Sequence, residues 1–396
     1  MRTETLPNEG KRAVWRYEKG KRMIISGGKV FSGAGFDNRD VLIEGERFAQ
    51  TPTGECLPQE MVDASGCWVL PGLIDVHFHG AMGHDFCDAD NEGISAIARY
   101  EASQGVTAIF PTTMTLPEER LIPIVSSITG HSAGEDEATI VGINMEGPFI
   151  SPGKVGAQNP AYVRGATVAE FERWQEAAHG MIKLVDVAPE EPGNLEFIRE
   201  IAGSVRVSLA HMCADYETAA AAFDAGARHM THLFNAMPPL HHREPGPIAA
   251  AADRRDVTCE IIADGVHISP SMVRLAFSLF PERMILISDS LRACGLGDGT
   301  FELGGQQFTV HGNRATIENG SLAGSVSSVM ACLRTAVTKM DIPLTDAVRA
   351  ATMTPAKALG IDDERGSIEP GKVADAVVLD ADLNVKHVVL RGKLLK

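Results

Sequence analysis

The stretch "PGLIDVHFHG" (residues 71–80) is an apolar run that carries two histidines two positions apart. Residues i and i+2 of a β-strand point to the same face, so His77 and His79 would project together from the end of a buried strand. Two imidazoles aimed at one point are typical of a metal site. The alternative is a pair of histidines satisfied by hydrogen bonds in a polar layer.

Seven further runs of this kind follow at intervals along the chain. They read "VTAIFPTT", "IVGINMEGPF", "MIKLVDVAPE", "RVSLAHM", "HMTHLFNAM", "CEIIADGVH" and "MILISDS". Amphipathic stretches such as 94–104, 168–179 and 216–225 lie between them. Strands that alternate with helices form a parallel sheet, and eight of them favour an α/β fold with a (β/α)8 TIM-like barrel. An open doubly wound sheet is the alternative, although no GxGxxG follows the first strand.

Both ends of the chain carry short β-like runs instead. "MIISGGKVF", "DVLIEGERFAQ" and "MVDASGCWVL" lie in 23–70, and "ADAVVLD" and "NVKHVVLRGKLL" lie in 366–396. We predict that these two segments together form one small β-sandwich domain, into which a catalytic barrel over 71–365 is inserted. Polar residues 1–22 are expected to be a flexible extension. The glycine-rich segment 294–324 is expected to be a β-hairpin over the barrel mouth, with helix resuming from Val326.

The bulk composition restricts the partners of the protein. Its 396 residues carry a net charge of −16, which disfavours nucleic acid or an anionic membrane surface as a partner. Seven cysteines without a CxxC pair are typical of a reduced, cytoplasmic protein. We expect neither a signal peptide nor a membrane span, because no long apolar run is present.

Chemically active side chains collect at the ends of the predicted strands, where (β/α)8 barrels carry their active sites. They are His77, His79, Glu146, His211, His232, Asp264, His267 and Asp289. Each alone has an ordinary explanation, such as a surface acid or a helix N-cap. Imidazoles and a carboxylate at one end of a barrel, however, form a ligand set for Zn²⁺ or Fe²⁺.

Such a ligand set predicts a hydrolytic reaction. A divalent metal lowers the pKa of water from about 16 toward about 7 and polarises a carbonyl oxygen. Asp289, beside that water, could take its proton and later pass it to a leaving amine. The residues therefore indicate hydrolysis of an amide or ester, or a deamination.

Seven motifs together resemble the amidohydrolase superfamily and, more narrowly, its N-acetylglucosamine-6-phosphate deacetylases, over about residues 23–396. They are "PGLIDVHFHG", "MEGPFISP", "SLAHM", "THLFNAMPPLHHREPG", "IIADGVH", "ISDS" and "SLAGS". "HLFNAMPP", "REPG" and "ADGVH" are specific to the deacetylases, whereas the His-x-His occurs across the superfamily. The resemblance implies hydrolysis of the N-acetyl group of N-acetyl-D-glucosamine 6-phosphate, a phosphorylated N-acetyl amino sugar, to D-glucosamine 6-phosphate and acetate in amino-sugar catabolism.

The resemblance also implies which residues bind metal. Glu146, His211 and His232 would hold the principal ion. His77 and His79 would be ligands of a second ion, with Glu146 bridging the two. One or two Zn²⁺ or Fe²⁺ ions per subunit are therefore expected.

For catalysis, the resemblance implies that Asp289 is the general base and then the acid, and that His267 stabilises the oxyanion at the acetyl group. Arg243 would bind the 6-phosphate, since guanidinium suits phosphate oxygens, and would reach across a homodimer interface into the neighbouring site. Further substrate contacts are implied for Ala157, Gln158, Asn235, Ala236, Leu322, Ala323 and Gly324. Gln158 stands where some members of the family have histidine.

Several alternative functions are possible, and a particular residue or motif distinguishes most of them from a deacetylase. Dihydroorotases and hydantoinases bridge their metals with a carbamylated lysine at the end of the fourth strand, whereas Lys183 lies at the start of that run. A cytosine or adenine deaminase could use the same ligands, but the arginine of "REPG" and the strand that carries Glu146 argue against it. An inactive scaffold protein would have lost a ligand or Asp289. The galactosamine epimer of the substrate stays open.

Overall fold

The computed structural model describes residues 22–50 and 58–396. Except for Arg22, the predicted N-terminal extension 1–22 lies outside the described residues. Residues 51–57 of the predicted sandwich lie outside them as well.

The centre of the molecule is a ring of eight parallel strands. They are β1 (Leu73–Phe78), β2 (Val106–Thr113), β3 (Ile143–Met145), β4 (Ile182–Val187), β5 (Arg206–Leu209), β6 (His229–Met230), β7 (Thr258–Ile262) and β8 (Met284–Ile287). Each pairs with the next in parallel register. The ring closes beyond the last strand, where the Asp289 N–H donates to the His77 carbonyl at 2.9 Å. The predicted (β/α)8 barrel is confirmed, and all eight runs named from the sequence are its strands.

In the described residues, seven helices lie between successive barrel strands and three more follow β8. They are α1 (Asn91–Ser103), α2 (Glu118–Gly130), α3 (Val168–Ala177), α4 (Asn194–Ile201), α5 (Tyr216–Ala225), α6 (Gly246–Ala252), α7 (Pro270–Leu279), α8 (Val329–Met340), α9 (Leu344–Ala351) and α10 (Met353–Ala358). α8 starts three residues later than expected, because the Ser328 side chain accepts the Ala331 N–H and caps the helix there. β1 and β2 are buried along their full length, which explains why they read as continuous apolar runs.

The two ends of the chain meet in a β-sandwich. One sheet has the strand order Arg47–Ala49, Val41–Glu44, Arg22–Ser26, Glu60–Asp63; the other has the order Lys393–Leu394, Val385–Leu390, Ala376–Leu379, Trp68–Pro71, Lys29–Phe31, Phe36–Asn38. Both sheets contribute to one hydrophobic cluster, with Ile25 and Ile43 from the first and Val69 and Val378 from the second. The predicted small β-sandwich is therefore present, while the residue boundaries of the two domains stay a prediction.

Gly72 joins the sandwich to the barrel between Pro71 and Leu73. Its N–H donates to the Asp375 carbonyl at 2.9 Å. A Cβ at this position would lie 2.1 Å from Oγ1 of Thr107 and 2.9 Å from Cβ of Asp375. Only glycine leaves room for this close approach.

The insertion after β8 is larger than the expected hairpin. It is a four-stranded antiparallel sheet of Gly299–Leu303, Gln306–His311, Arg314–Ile317 and Leu322–Gly324. Its Gln306 amide donates to the carbonyls of Ala157 at 2.9 Å and Gln158 at 3.3 Å, which ties the sheet to a loop at the barrel mouth. Short pieces complete the fold: strands Gly80–Ala81, His84–Asp85 and Thr139–Ile140, and 3₁₀ turns Phe86–Asp88 and Pro160–Tyr162.

Among the helices of the described residues, none is both long and apolar enough to cross a membrane.

Candidate active site

Four imidazoles surround the carboxylate of Glu146 at the barrel mouth. Oε1 of Glu146 lies 2.9 Å from Nε2 of His211, 3.2 Å from Nε2 of His232 and 3.6 Å from Nε2 of His77. Oε2 lies 3.1 Å from Nε2 of His79. All five side chains are buried and form two triads that share Glu146, with donor atoms within 4.8 Å of one another. The structure thus brings together the five residues named as ligands from the sequence.

The spacing of these atoms fits a metal ion. Two ligand atoms about 2.0–2.1 Å from a tetrahedral Zn²⁺ ion lie about 3.4 Å apart. Nε2 of His211 and Nε2 of His232 are 3.2 Å apart, close to this value. Two imidazole nitrogens and a carboxylate oxygen at such separations favour a cation between them.

For two of these imidazoles, the hydrogen-bond partner of Nδ1 shows that this nitrogen carries a hydrogen. Nδ1 of His211 lies 2.8 Å from the Lys154 carbonyl, and Nδ1 of His77 lies 3.0 Å from Oε2 of Glu260. Both partners can only accept, so each Nδ1 carries a hydrogen, and the neutral form of each ring has its lone pair on Nε2. Nε2 of His77 is buried without a hydrogen-bond partner among the described residues. Such a nitrogen is suited to ligate a metal.

Three of the site residues share an unusual backbone conformation. His211, His232 and Asp289 have φ angles of 43°, 28° and 48°, in the left-handed region. Each lies two residues beyond the end of its strand, after β5, β6 and β8 respectively. Conformations of this kind cost about 1–3 kcal/mol each and are concentrated at functional sites. The strain therefore marks the points at which the chain turns these side chains toward a common centre.

The electrostatics of the cluster favour positive charge at three of the four imidazoles. Burial works to raise the pKa of Glu146, but the charge of His77 and hydrogen bonds from His211 and His232 hold that pKa well below its usual range. Burial works to lower the pKa of His79, yet hydrogen bonds to Asp289 and Glu146 raise it to about 10. A bound cation would supply the same positive charge.

Asp289 and His267 lie beside the cluster. Oδ1 of Asp289 is 3.5 Å from Nε2 of His79 and 3.9 Å from Nε2 of His77. Nδ1 of His267 is 2.8 Å from Oδ2 of Asp264, whose other oxygen accepts the His267 N–H at 2.9 Å. Burial works to lower the pKa of His267, but the hydrogen bond and charge of Asp264 raise it overall. His267 is therefore a positioned donor, and Asp264 favours its protonated form.

A cavity of about 580 Å³ opens above these groups. Its lining includes His267 and all the other residues expected to contact substrate except Arg243: Ala157, Gln158, Asn235, Ala236, Leu322, Ala323 and Gly324. The amide of Gln158, however, is already engaged. Its Nε2 donates to Oε2 of Glu146 at 2.6 Å, and its Oε1 accepts the Thr115 N–H at 2.7 Å. In this structure Gln158 orients the shared carboxylate.

Arg243 does not join the cavity of its own chain. It lies in an exposed loop, where its Nη1 is 2.7 Å from Nε2 of His242. Lys154 is the only lysine or arginine among the described residues that line the cavity. A phosphate group bound there would meet few cations of the same subunit.

Sequence reasoning missed Glu260, a fully buried carboxylate in β7 that contacts His77. A signal was available, because an acid inside the apolar run "CEIIADGVH" needs a buried partner. Reasoning from the sequence also missed Lys154, whose carbonyl holds His211. A backbone contact of this kind leaves no signal in the sequence.

The chain is similar to characterised proteins over most of its length. A model of the amidohydrolase family matches residues 68–395. N-acetylglucosamine-6-phosphate deacetylase of Bacillus subtilis (strain 168) is 39% identical over 332 residues, which cover 82% of this chain and 84% of that protein. N-acetylgalactosamine-6-phosphate deacetylase of Escherichia coli O157:H7 is 34% identical over 342 residues, which cover 86% and 91%.

A solved structure shares the fold closely. A variant of N-acetyl-D-glucosamine-6-phosphate deacetylase from Mycobacterium smegmatis, in complex with N-acetyl-D-glucosamine-6-phosphate, superposes with a TM-score of 0.88 at 32% identity. The match covers 95% of this chain and 100% of that one. The chain belongs to the amidohydrolase family and, within it, to the group of the N-acetylglucosamine-6-phosphate deacetylases.

Proposed function

We propose that the protein hydrolyses the N-acetyl group of N-acetyl-D-glucosamine 6-phosphate to D-glucosamine 6-phosphate and acetate. The observation that carries this proposal is the pair of buried triads that share Glu146, in the same cavity as Asp289 and His267. The relative from Bacillus subtilis and the solved structure from Mycobacterium smegmatis bear the names of this enzyme. Amide hydrolysis is also a reaction that a divalent ion held by imidazoles and a carboxylate, with a proton carrier beside it, supports.

We assign Glu146, His211 and His232 as the residues that would hold the principal metal ion, and His77 and His79, together with Glu146, as those that would hold a second. Zn²⁺ or Fe²⁺ fits the donor set, and one or two ions per subunit could be held. A divalent ion held there would lower the pKa of water and polarise the acetyl carbonyl. The Nδ1 hydrogen bonds of His77 and His211 support this assignment, because they leave Nε2 of each ring to bind the ion.

Asp289 carries the proton in this proposal. Its carboxylate faces the imidazoles and the cavity, so it can accept a proton from the attacking water. As the C–N bond breaks, the same carboxyl group returns the proton to the leaving amine. His267, held by Asp264, donates a hydrogen bond to the acetyl oxygen as negative charge develops there.

Substrate binding is proposed to involve both the cavity loops and a second subunit. Asn235, Ala236 and the loop that carries Ala157 line the same cavity as the metal ligands. The exposed position of Arg243 and the scarcity of cations in the cavity support a homodimer in which Arg243 binds the 6-phosphate of the neighbouring site. The amino-sugar phosphate bound to the enzyme from Mycobacterium smegmatis supports the same substrate class.

The epimer N-acetyl-D-galactosamine 6-phosphate is a second candidate substrate. The relative from Escherichia coli named for that activity is 34% identical over 91% of its own length. The two sugars differ only at the C4 hydroxyl, so the reaction and the site residues would be the same.

The test is acetate release from a panel of N-acetylhexosamine 6-phosphates and their unphosphorylated sugars. We expect the glucosamine phosphate to be hydrolysed with the highest kcat/KM, and activity to disappear on chelation and return with Zn²⁺ or Fe²⁺. A higher kcat/KM for the galactosamine phosphate would establish the second candidate instead. Full activity after exhaustive chelation would contradict the metal-dependent reaction.

A further inference from the structure

One buried carboxylate in the barrel interior has no role in the reaction proposed above. Glu260, in β7, is completely buried. Its Oε2 lies 3.0 Å from Nδ1 of His77 and 3.1 Å from the backbone nitrogen of His232, and its Oε1 lies 3.0 Å from Nε2 of His229. The carboxylate of this β7 residue therefore contacts both β1 and the segment formed by β6 and the turn after it.

We infer that Glu260 is a positioning residue that holds His77 in the orientation and tautomer needed to ligate a metal ion; this inference rests on the proposed function. The carboxylate can only accept, so it keeps the hydrogen on Nδ1 and leaves the lone pair of Nε2 toward Glu146, 3.6 Å away. Carboxylates that hold the outer nitrogen of a histidine ligand also raise its basicity, and their loss weakens metal binding about 10–100-fold.

Glu260 is itself held from the opposite side. Nδ1 of His229 lies 2.6 Å from Oγ1 of Thr258. Because the Glu260 carboxylate can only accept, the hydrogen of the His229 ring resides on Nε2 and is directed at Glu260. The carboxylate then receives hydrogen bonds from two imidazoles and one backbone amide, which leaves it no freedom to rotate away from His77.

Glu260 supports mainly the metal site that contains His77. Among the proposed ligands, it meets the side chain of His77 but only the backbone of His232. His211 has a separate support, since its Nδ1 is held by the Lys154 carbonyl. Loss of Glu260 should therefore weaken the binding of the ion shared by His77 and His79 more than the binding of the ion held by His211.

The first test is the metal content of Glu260→Gln in a series of chelator-buffered zinc concentrations, without substrate. Glutamine offers one accepting oxygen where two imidazoles and an amide now donate. We expect one class of zinc sites to bind at least tenfold more weakly than in the wild type. Asp186→Asn is the matched control, because Asp186 is a buried carboxylate of β4 that accepts from Thr231 at 2.7 Å. In the described part of the chain it forms no hydrogen bond or ion pair with the five ligands.

Unchanged zinc affinity in Glu260→Gln, or an equal loss in Asp186→Asn, overturns the inference. If Glu260→Gln does not fold, Glu260→Asp serves the same comparison, because it keeps the charge but withdraws the oxygens by one methylene. A loss of zinc affinity that exceeds that of Asp186→Asn supports the inference, and wild-type affinity in Glu260→Asp overturns it.

A double-mutant cycle separates positioning from a general structural role. If Glu260 acts through His77, adding Glu260→Gln to His77→Asn should reduce zinc affinity no further. Additive losses would overturn the inference. Because zinc binding is measured without substrate, a wild-type protein that releases no acetate would refute the proposed function while this result still stood.

Discussion

Asp289 is the residue whose substitution tests the proposed proton transfer most directly. Asp289→Asn keeps the shape of the side chain but removes its capacity to accept a proton. We expect kcat for acetate release to fall by about 10²–10⁴-fold, because that is the usual contribution of a positioned acid or base. Metal content should be unchanged. Activity within tenfold of the wild type would contradict the role.

Glu101 provides a test of pH-dependent stability at a single residue. It is fully buried in α1, and neither carboxylate oxygen has a hydrogen-bond partner among the described residues. Burial, reinforced by the charge of Asp75, raises the pKa of Glu101 well above its ordinary value of 4.5. The folded state therefore binds this proton more tightly than the unfolded state, and stability falls as pH rises above 4.5.

Replacing Glu101 with glutamine removes this dependence. We expect the thermal midpoint of Glu101→Gln, relative to the wild type, to rise progressively between pH 5 and pH 8. Glu92→Gln, on the exposed surface of the same helix, is the control. Its thermal midpoint should change with pH in the same way as that of the wild type. A constant difference between Glu101→Gln and the wild type across this range would show that Glu101 does not titrate as described.

At the scale of elements, the joint between the sandwich and the barrel depends on Gly72. An alanine there would place its Cβ 2.1 Å from Oγ1 and 2.7 Å from Cγ2 of Thr107. We expect Gly72→Ala to lower the free energy of unfolding by about 1–3 kcal/mol, the usual cost of overpacking. Gly35→Ala is the matched control, since its Cβ would meet nothing within 4 Å. Denaturant midpoints that fall equally in both variants would contradict the steric explanation.

The elements around the mouth also show which local patterns were informative. The eight barrel strands could be predicted from their apolar runs, because a strand that is buried on both faces consists almost entirely of apolar residues. The sheet of Gly299–Leu303 through Leu322–Gly324 was expected to be a hairpin. Alternation and glycines reveal strands and turns, but the number of strands that pair depends on contacts with the barrel rim, such as that of Gln306 with the loop at Ala157.

At the scale of the whole molecule, the proposed dimer can be tested by mixing two defective variants. Arg243→Ala should raise KM for the phosphorylated sugar far more than for its unphosphorylated analogue. In a mixed dimer, the subunit with intact Asp289 would receive Arg243 from its Asp289→Asn partner. We therefore expect co-refolded Arg243→Ala and Asp289→Asn to show a KM close to that of the wild type and substantial activity.

The first control is each variant refolded and assayed alone. The second control is the two separately refolded variants combined without refolding them together. Sedimentation measurements should show that the preparations contain dimers. If co-refolding leaves KM at the value of Arg243→Ala alone, Arg243 does not serve the neighbouring site.

The sequence by itself determined the order of the barrel strands, the position of the sandwich at both ends and the side chains that meet at the mouth. These features are local, because each depends on an apolar run and on the one or two residues that follow it. Only the tertiary structure decided the partners of those side chains. Glu260 holds His77 across 183 positions, and Gln158 binds Glu146 although its expected partner was the substrate. Such contacts depend on which strand ends become neighbours when the ring closes, and no single stretch of sequence contains that information.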